Sequence, residues 1–237
     1  MPLYSSAISG INAAIDRYNV SANNRANIST SGFKKSRALL ATSPSNSGVI
    51  TSSIQRMHSQ GSLILTNQSL DIAIDGKGFF QISLGNNGKA YTRDGTFQLD
   101  NQGRIATTSG KPLYPEITVP VNVEKISMDT SGNIRALING NWQDLGQIEL
   151  AYFQNPGGLT PIGDNLFVET IDSGIPLTGI PDSGGFGKII QGSLELSNVN
   201  LAEEAVSDVI TKTIVGANIA ALKTEDKMLG ALIDLFV

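Results

Sequence analysis

Four places in the chain carry side chains whose types and spacing could do chemistry. His58 stands beside Ser59, a pair in which an imidazole could draw the proton from a hydroxyl nucleophile. Asp71 and Asp75 could divide the roles of general acid and general base. Asp129-Thr130-Ser131-Gly132 carries part of a calcium-loop pattern, and Gly76-Lys77-Gly78-Phe79 is a glycine-rich turn that could approach a phosphate. Each fails a physical test. Neighbours on a strand point to opposite faces, so Ser59 is poorly placed for His58. A period-2 strand ending in a glycine turn accounts for Asp71 and Asp75 as well as catalysis does. The Asp129 loop lacks alternating ligands and a terminal Glu, and the Gly76 turn lacks the Lys-Ser/Thr ending of a phosphate loop. No catalytic, cofactor or metal site is expected.

The composition narrows the classes further. The 237 residues include no cysteine and one histidine. That removes disulfides, thiolate nucleophiles, Cys-ligated zinc, iron–sulfur clusters and His-cluster metal sites. Charged residues make up 16% of the chain, against roughly 25% in an average soluble domain. A net charge of −4 argues against nucleic-acid binding. No uninterrupted 18-residue apolar stretch exists, so no membrane insertion is expected. Met1-Pro2-Leu3-Tyr4-Ser5 lacks the basic and apolar regions of a cleavable signal peptide.

The elements that position these residues fall into three stretches. Tyr4, Ile8, Ile11, Ile15, Tyr18 and Ala22 step by 4, 3, 4, 3 and 4, a coiled-coil seam. They predict a helix over about 3–27 that stops near Ile28 to Gly32. Asn200 is an expected N-cap, with Glu203 at the third position of a capping box. Beyond it, Ile210, Ile214, Ala217, Ala221, Thr224, Met228, Ala231 and Leu235 repeat the heptad steps, beside a second stripe of Leu222, Leu229, Leu232 and Phe236. The two helices could pair with each other or meet neighbouring subunits, and periodicity leaves both open. Residues 35–195 read as all-β, with short strands at spacings near ten residues that suit a sandwich or irregular barrel. Turns are expected at Asp100–Gly103, Asp129–Gly132 and Gly85-Asn86-Asn87-Gly88.

Five strings, in order, carry a resemblance. They are Ala22-Asn23-Asn24-Arg25-Ala26-Asn27 running into Thr30-Ser31-Gly32-Phe33-Lys34, then His58-Ser59-Gln60-Gly61-Ser62-Leu63, Ile74-Asp75-Gly76-Lys77-Gly78-Phe79-Phe80, Tyr91-Thr92-Arg93-Asp94-Gly95-Thr96-Phe97, and Gln191 to Asn200. Together they resemble the bacterial flagellar rod and hook protein family from end to end. Within it, the strings look most like the distal-rod branch, with the proximal-rod branch next. Only about 20 residues, Ala38 to Met57, separate the first two strings, where the distal branch carries a longer insertion. Thr213-Ile214-Val215-Gly216 also stands where the family has Arg-Ala-Tyr-Glu, while Asn218 and the Asp226, Met228, Leu229 ending are kept.

The resemblance implies an α+β fold: a discontinuous helical domain from both termini, and a central all-β domain with an extended arm. The expected boundaries are 1–34, 35–70 (the arm), 71–195 and 196–237. It further implies a structural, non-enzymatic subunit of the basal-body rod that polymerises through its terminal helices into a torque-transmitting helical tube. The implied partners are further copies, other rod and hook proteins, the flagellar type III export apparatus and the surrounding ring proteins. The implied location is the periplasmic rod, reached without a cleavable signal peptide. The assembly residues expected on this reading are Ile8, Ile11, Ile15, Asn23, Asn24, Asn27, Phe33, Asn198, Asn200, Ile214, Asn218, Met228 and Leu229. The asparagine amides are expected to bond neighbouring backbones and set register, or else Asn23, Asn24 and Asn27 cap the first helix. A β-domain adhesin or phage-tail module is the alternative from another class.

Overall fold

The computed structural model describes residues 2–43, 48–85 and 88–236. In chain order the elements are α1 (Pro2–Ala26), β1 (Ser36–Thr42), β2 (Val49–Arg56), β3 (Leu63–Leu65), β4 (Ile72–Asp75), β5 (Phe79–Ser83) and β6 (Lys89–Thr92). Then come β7 (Phe97–Leu99), β8 (Ile105–Thr107), β9 (Leu113–Tyr114), β10 (Lys125–Met128), β11 (Asn133–Ile138), β12 (Asn141–Gln147) and β13 (Leu150–Tyr152). The chain closes with β14 (Thr160–Gly163), β15 (Leu166–Val168), β16 (Leu177–Gly179), β17 (Lys188–Gln191), β18 (Ser193–Glu195) and α2 (Leu201–Phe236). The fold is α+β, in two compact units. A helical unit comprises Met1–Ile28, Lys35–Met57 and Val199–Val237, and a β unit comprises Ser29–Lys34 and His58–Asn198.

In the helical unit α1 and α2 pack antiparallel: residues near 24 meet residues near 204, and Gly10 meets Asn218. The last turn of α1 tightens, with Asn27 N donating to the carbonyls of both Asn23 and Asn24. Asn200 caps α2 through Oδ1, which accepts from Ala202 N at 2.9 Å and Glu203 N at 3.4 Å. Glu203 does not complete a capping box. Its carboxylate reaches Lys35 Nζ at 2.9 Å instead. Residues 35–70 are not one arm: β1 and β2 pair in register from Ser36↔Arg56 to Thr42↔Val49 and pack on α1, while β3 pairs β18 in the β unit. Over Leu201–Ala231, α2 is long and apolar enough to cross a bilayer by length and composition alone. Asp208 and Lys212 interrupt it, which is why no continuous apolar stretch is legible.

The stripe that periodicity marks is not the seam between the two helices. On α1 the buried positions are Ala7, Ala13, Ala14, Ser21 and Asn24, whereas Ile8, Ile15 and Tyr18 stay 49%, 47% and 41% exposed. On α2 the buried positions are Glu204, Asp208 and Thr211, whereas Val209, Ile210 and Met228 face outward. The heptad spacing holds on both faces, shifted by one residue. Small and polar side chains fill the inner face, since they let two backbones approach: a Cβ at Gly10 would lie 2.9 Å from Asn218 Nδ2. The side chains of Leu232, Leu235 and Phe236, in the expected α2 stripes, lie outside the described residues.

The β unit is built around one apolar cluster that includes Ile72, Ile74, Phe80, Ile82, Ile105, Ile134, Ile148 and Leu150. Phe79, Tyr91, Phe153 and Phe167 form a second, aromatic cluster, and β5 serves both because successive side chains alternate across it. The main sheet has the order β14-β15-β6-β5-β13-β16 with β9 also pairing β5. A three-stranded β10-β11-β12 sheet and two-stranded pairs complete the described strands, so small sheets surround the core where a sandwich or barrel is expected. The Asp100 and Asp129 turns close with Gly103 N and Gly132 N donating to the carbonyls of Asp100 and Asp129. Asn86 and Asn87, the expected tip of the β5–β6 turn, lie outside the described residues.

Candidate assembly site

The four places that could do chemistry are all used in packing. His58 sits edge-on between Phe79 and Phe167, with ring centroids at 5.5 and 5.2 Å. Asp75 lies 3.4 Å from Lys188 Nζ and accepts from Gln60 Nε2 at 3.3 Å. In the Gly76 turn, Gly76 N donates to Gln60 Oε1 and Gly76 O accepts from Arg93 Nη2 at 2.7 Å, so two backbone groups of the turn are already bonded. Asp129 folds its carboxylate back on Asn133 N at 2.8 Å as a turn-closing acceptor. No cluster of three or more metal-binding side chains exists among the described residues.

The family-like strings converge on a buried charge cluster that sequence reasoning missed. Glu195 on β18 is 1% exposed. Its Oε1 accepts from Lys34 Nζ at 2.5 Å and from Gly61 N at 2.8 Å, and its Oε2 from Arg93 Nη1 at 3.3 Å. Lys34 also donates to Ser59 O at 2.8 Å, and Arg93 to Ile74 O at 3.4 Å. All five strings therefore supply one or more of these atoms. Burial pushes the Lys34 ammonium down from its ordinary 10.5, against the opposing pull of Glu195. Burial lowers Arg93 too, and it raises the Asp94 carboxyl against the opposing Thr96 hydrogen bonds. Two cations share one carboxylate, and the carbonyls of Ser59, Ile74 and Gly76 accept further protons from them, while Arg93 Nε is buried without a hydrogen-bond partner among the described residues. The cluster lies inside the β unit, with Lys34, Arg93 and Glu195 each 5% exposed or less.

Close backbone approach explains the glycines in these strings. A Cβ at Gly61 would stand 2.0 Å from Leu196 O, and one at Gly95 would stand 1.5 Å from Ile72 O. Neither position carries a positive φ, so space alone demands glycine.

The expected assembly residues fall on both units and differ in exposure. Ile8, Ile15, Asn23 and Met228 are exposed on the helical unit, while Ile11, Asn27, Ile214, Asn218 and Leu229 are half-buried there. Asn24 is spent inside the subunit: Nδ2 donates to Ser36 O and Glu204 Oε1, both at 2.9 Å, and Oδ1 accepts from Ser36 N at 2.8 Å. Asn27 Nδ2 returns to Asn23 O at 2.9 Å, Asn218 Nδ2 to Ile214 O at 2.9 Å, and Asn200 is the α2 cap. In the β unit, Asn198 Nδ2 bonds Ser59 O at 3.0 Å. Phe33 is 5% exposed there, so it is a core residue and not a surface one. These amides bond within their own chain, because helix ends and short returns leave backbone groups that the nearest side-chain amide can satisfy. Ser21 Oγ donates to Asp208 Oδ1 at 2.9 Å, and Arg25 pairs with Asp208, so the intramolecular helix seam is polar. What remains outside is a surface with apolar side chains on both helices.

Comparison with known proteins is consistent with this geometry. A family model described as the flagellar hook protein FlgE/F/G D1 domain matches residues 73–136, and one described as the flagellar basal body rod FlgEFG protein C-terminal matches residues 190–235. The flagellar basal-body rod protein FlgG of Buchnera aphidicola subsp. Acyrthosiphon pisum is 40% identical over 95% of this chain and 96% of its own length. That of Bacillus subtilis is 34% identical over 97% of both chains. The flagellar hook protein FlgE of Salmonella typhimurium is 42% identical over 41% of this chain and 24% of its own.

Proposed function

The chain belongs to the flagellar basal-body rod protein family and is a structural rod subunit, and from that premise we propose that it polymerises through its terminal helices into the distal part of a torque-transmitting rod. One observation carries this reading. The helix pair satisfies its inner seam with Ser21, Asn24, Asp208 and Glu204, and turns Ile8, Ile15, Tyr18, Val209, Ile210 and Met228 to the outside. Apolar surface left on two elements of one subunit is a contact surface for others, and head-to-tail contacts that do not close extend into a filament. Stiffness then comes from the number of repeated contacts, and no residue needs to react. The other rod and hook proteins are the natural neighbours, and the basal body is the location. The proposal extends to export through the flagellar type III apparatus and passage through surrounding rings.

The test is a pair of outward substitutions, Ile8→Asp with Ile15→Asp. Both side chains are about half-exposed, so the stability of the isolated chain, read from urea unfolding, should stay within about 0.5 kcal/mol. Filaments, read by sedimentation and electron microscopy, should disappear. Filaments of unchanged yield would refute assembly through this face.

A further inference from the structure

A second apolar surface lies in the β unit, on the loop between β15 and β16. Ile171 and Ile175 are 101% and 90% exposed, and Leu177 at the start of the edge strand β16 is 65% exposed. The loop that presents them is pinned. Ser173 is 1% exposed, and its Oγ both accepts from Thr170 N at 2.9 Å and donates to Thr170 O at 2.9 Å. Thr170 Oγ1 donates to Gly158 O at 2.6 Å, and Asn155 Nδ2 holds Asp172 O at 2.9 Å. A Cβ on Gly158 would stand 2.6 Å from the Asp172 backbone. Two isoleucines in water on a preorganised support form a knob whose ordering entropy is spent before any partner arrives.

The same unit carries a face of complementary character. On the β10-β11-β12 sheet, Lys125, Leu137 and Trp142 lie opposite one another in a row across the strands, with Ser127, Arg135 and Asp144 in the next row. Ile134 and Ala136 alternate with them into the core, so both rows face outward. Trp142, the only tryptophan, is 51% exposed. Arg135 Nε pairs with Asp144 at 2.7 Å. Lys125 takes part in none of the ion pairs among the described residues, which leaves the face net positive. Glu169 and Asp172 make the knob acidic.

We propose that the Ile171–Ile175 knob of one copy seats on the Trp142 face of a second copy. The apolar tips cover the indole, and Asp172 comes to Lys125. The two surfaces are different patches of one chain, so the contact is heterologous and propagates. Tryptophan and arginine are the side chains that anchor such contacts. A self-standing interface needs roughly 1,000 Å² of buried surface, more than a few apolar side chains supply. It therefore rests on the terminal-helix assembly proposed above, which raises the effective concentration of one patch near the other.

The absence of cysteine makes disulfide trapping a clean test. Full-length chains carrying Trp142→Cys are mixed with chains carrying Ile171→Cys and oxidised, with Ser109→Cys, exposed in the β8–β9 turn, as the control partner. The mixed pair should cross-link at least about tenfold faster than either chain with the control. Independently, Trp142 emission in the otherwise native chain should shift to the blue on assembly, and Ile171→Asp with Ile175→Asp should cancel that shift. Filaments with no excess cross-linking and an unmoved Trp142 emission would overturn the contact while leaving the rod reading intact. Excess cross-linking without filaments would support the contact and count against that reading. Efficient dimers from Trp142→Cys alone would also overturn it, since they require the face to meet itself.

Discussion

Replacing Glu195 with Gln keeps the side chain's size and removes the one anion in the buried cluster. Oε1 can still accept from Gly61 N and Lys34 Nζ, but the new amide then turns its N–H groups toward Arg93 Nη1. Removing one partner of a buried pair costs about 3–5 kcal/mol, because the remaining charge is stranded in a poor solvent. Lys34 has an escape that bounds its share. Shedding its proton at pH 7 against an ordinary value of 10.5 costs at most about 5 kcal/mol. Arg93 has no such escape at accessible pH. Domains of this kind hold roughly 5–15 kcal/mol in total. With a urea dependence of about 2 kcal/mol per molar, E195Q should lower the midpoint of the β-unit transition by about 2 M. Far-UV circular dichroism and Trp142 emission read it. The deficit should shrink between pH 7 and 10. Burial lowers Lys34 in the folded state, so the unfolded chain holds its proton more tightly, and stability rises with pH across that window. Lys34→Met combined with Glu195→Gln should be more stable than E195Q alone, since it removes the stranded ammonium. A loss under 1 kcal/mol for E195Q, or a double variant worse than the sum of its parts, would show that the cluster does not behave as a buried ion network.

Three further outcomes can be measured. Asp94→Asn should leave unfolding at pH 7 unchanged or slightly more stable: burial raises the Asp94 carboxyl, so the folded chain takes up a proton as pH falls, and the acid-side gain this brings in the native chain should vanish in the variant when urea midpoints are compared from pH 7 to pH 3. Gly95→Ala should keep the β unit from folding at 37 °C, seen as loss of its cooperative transition, because a carbon 1.5 Å from Ile72 O cannot be relieved by a rotamer change. Asn24→Leu should cost about 2–4 kcal/mol in the helical unit, measured by amide exchange along α1, since it leaves Ser36 N–H, Ser36 C=O and Glu204 short of partners.

Much of the fold was legible in the sequence because its signals are local. The helix spans follow from 3–4 spacing, the Asn200 cap from residue type, and the Asp-x-x-Gly turns from the carboxylate's reach to its own backbone. The helix interface was not legible. Ile8, Ile15 and Tyr18 obey the seam rule, yet the rule does not say whether the best apolar stripe meets its own chain or another. The subunit buries the neighbouring stripe of Ala7, Gly10, Ala14, Ser21 and Asn24. The charge cluster was invisible for another reason. Lys34, Arg93 and Glu195 each look like ordinary surface charges, and only the fold brings together positions 161 residues apart. A trace of it was present, since Gly-Phe-Lys, Thr-Arg-Asp-Gly and Leu-Glu-Leu all lie in strings that match the family.

That cluster also determines where a pull on the chain would be felt. The β unit takes in the chain twice, at Ser29–Lys34 and again from His58 to Asn198, with Lys35–Met57 in the helical unit between. Lys34 grips Glu195 directly, and Gly32 N donates to Glu195 O at 2.8 Å, so the first segment is clasped to the end of the second. A pull between Ser29 and Asn198 is therefore borne first by that clasp. The clasp must yield before any strand behind it is stretched.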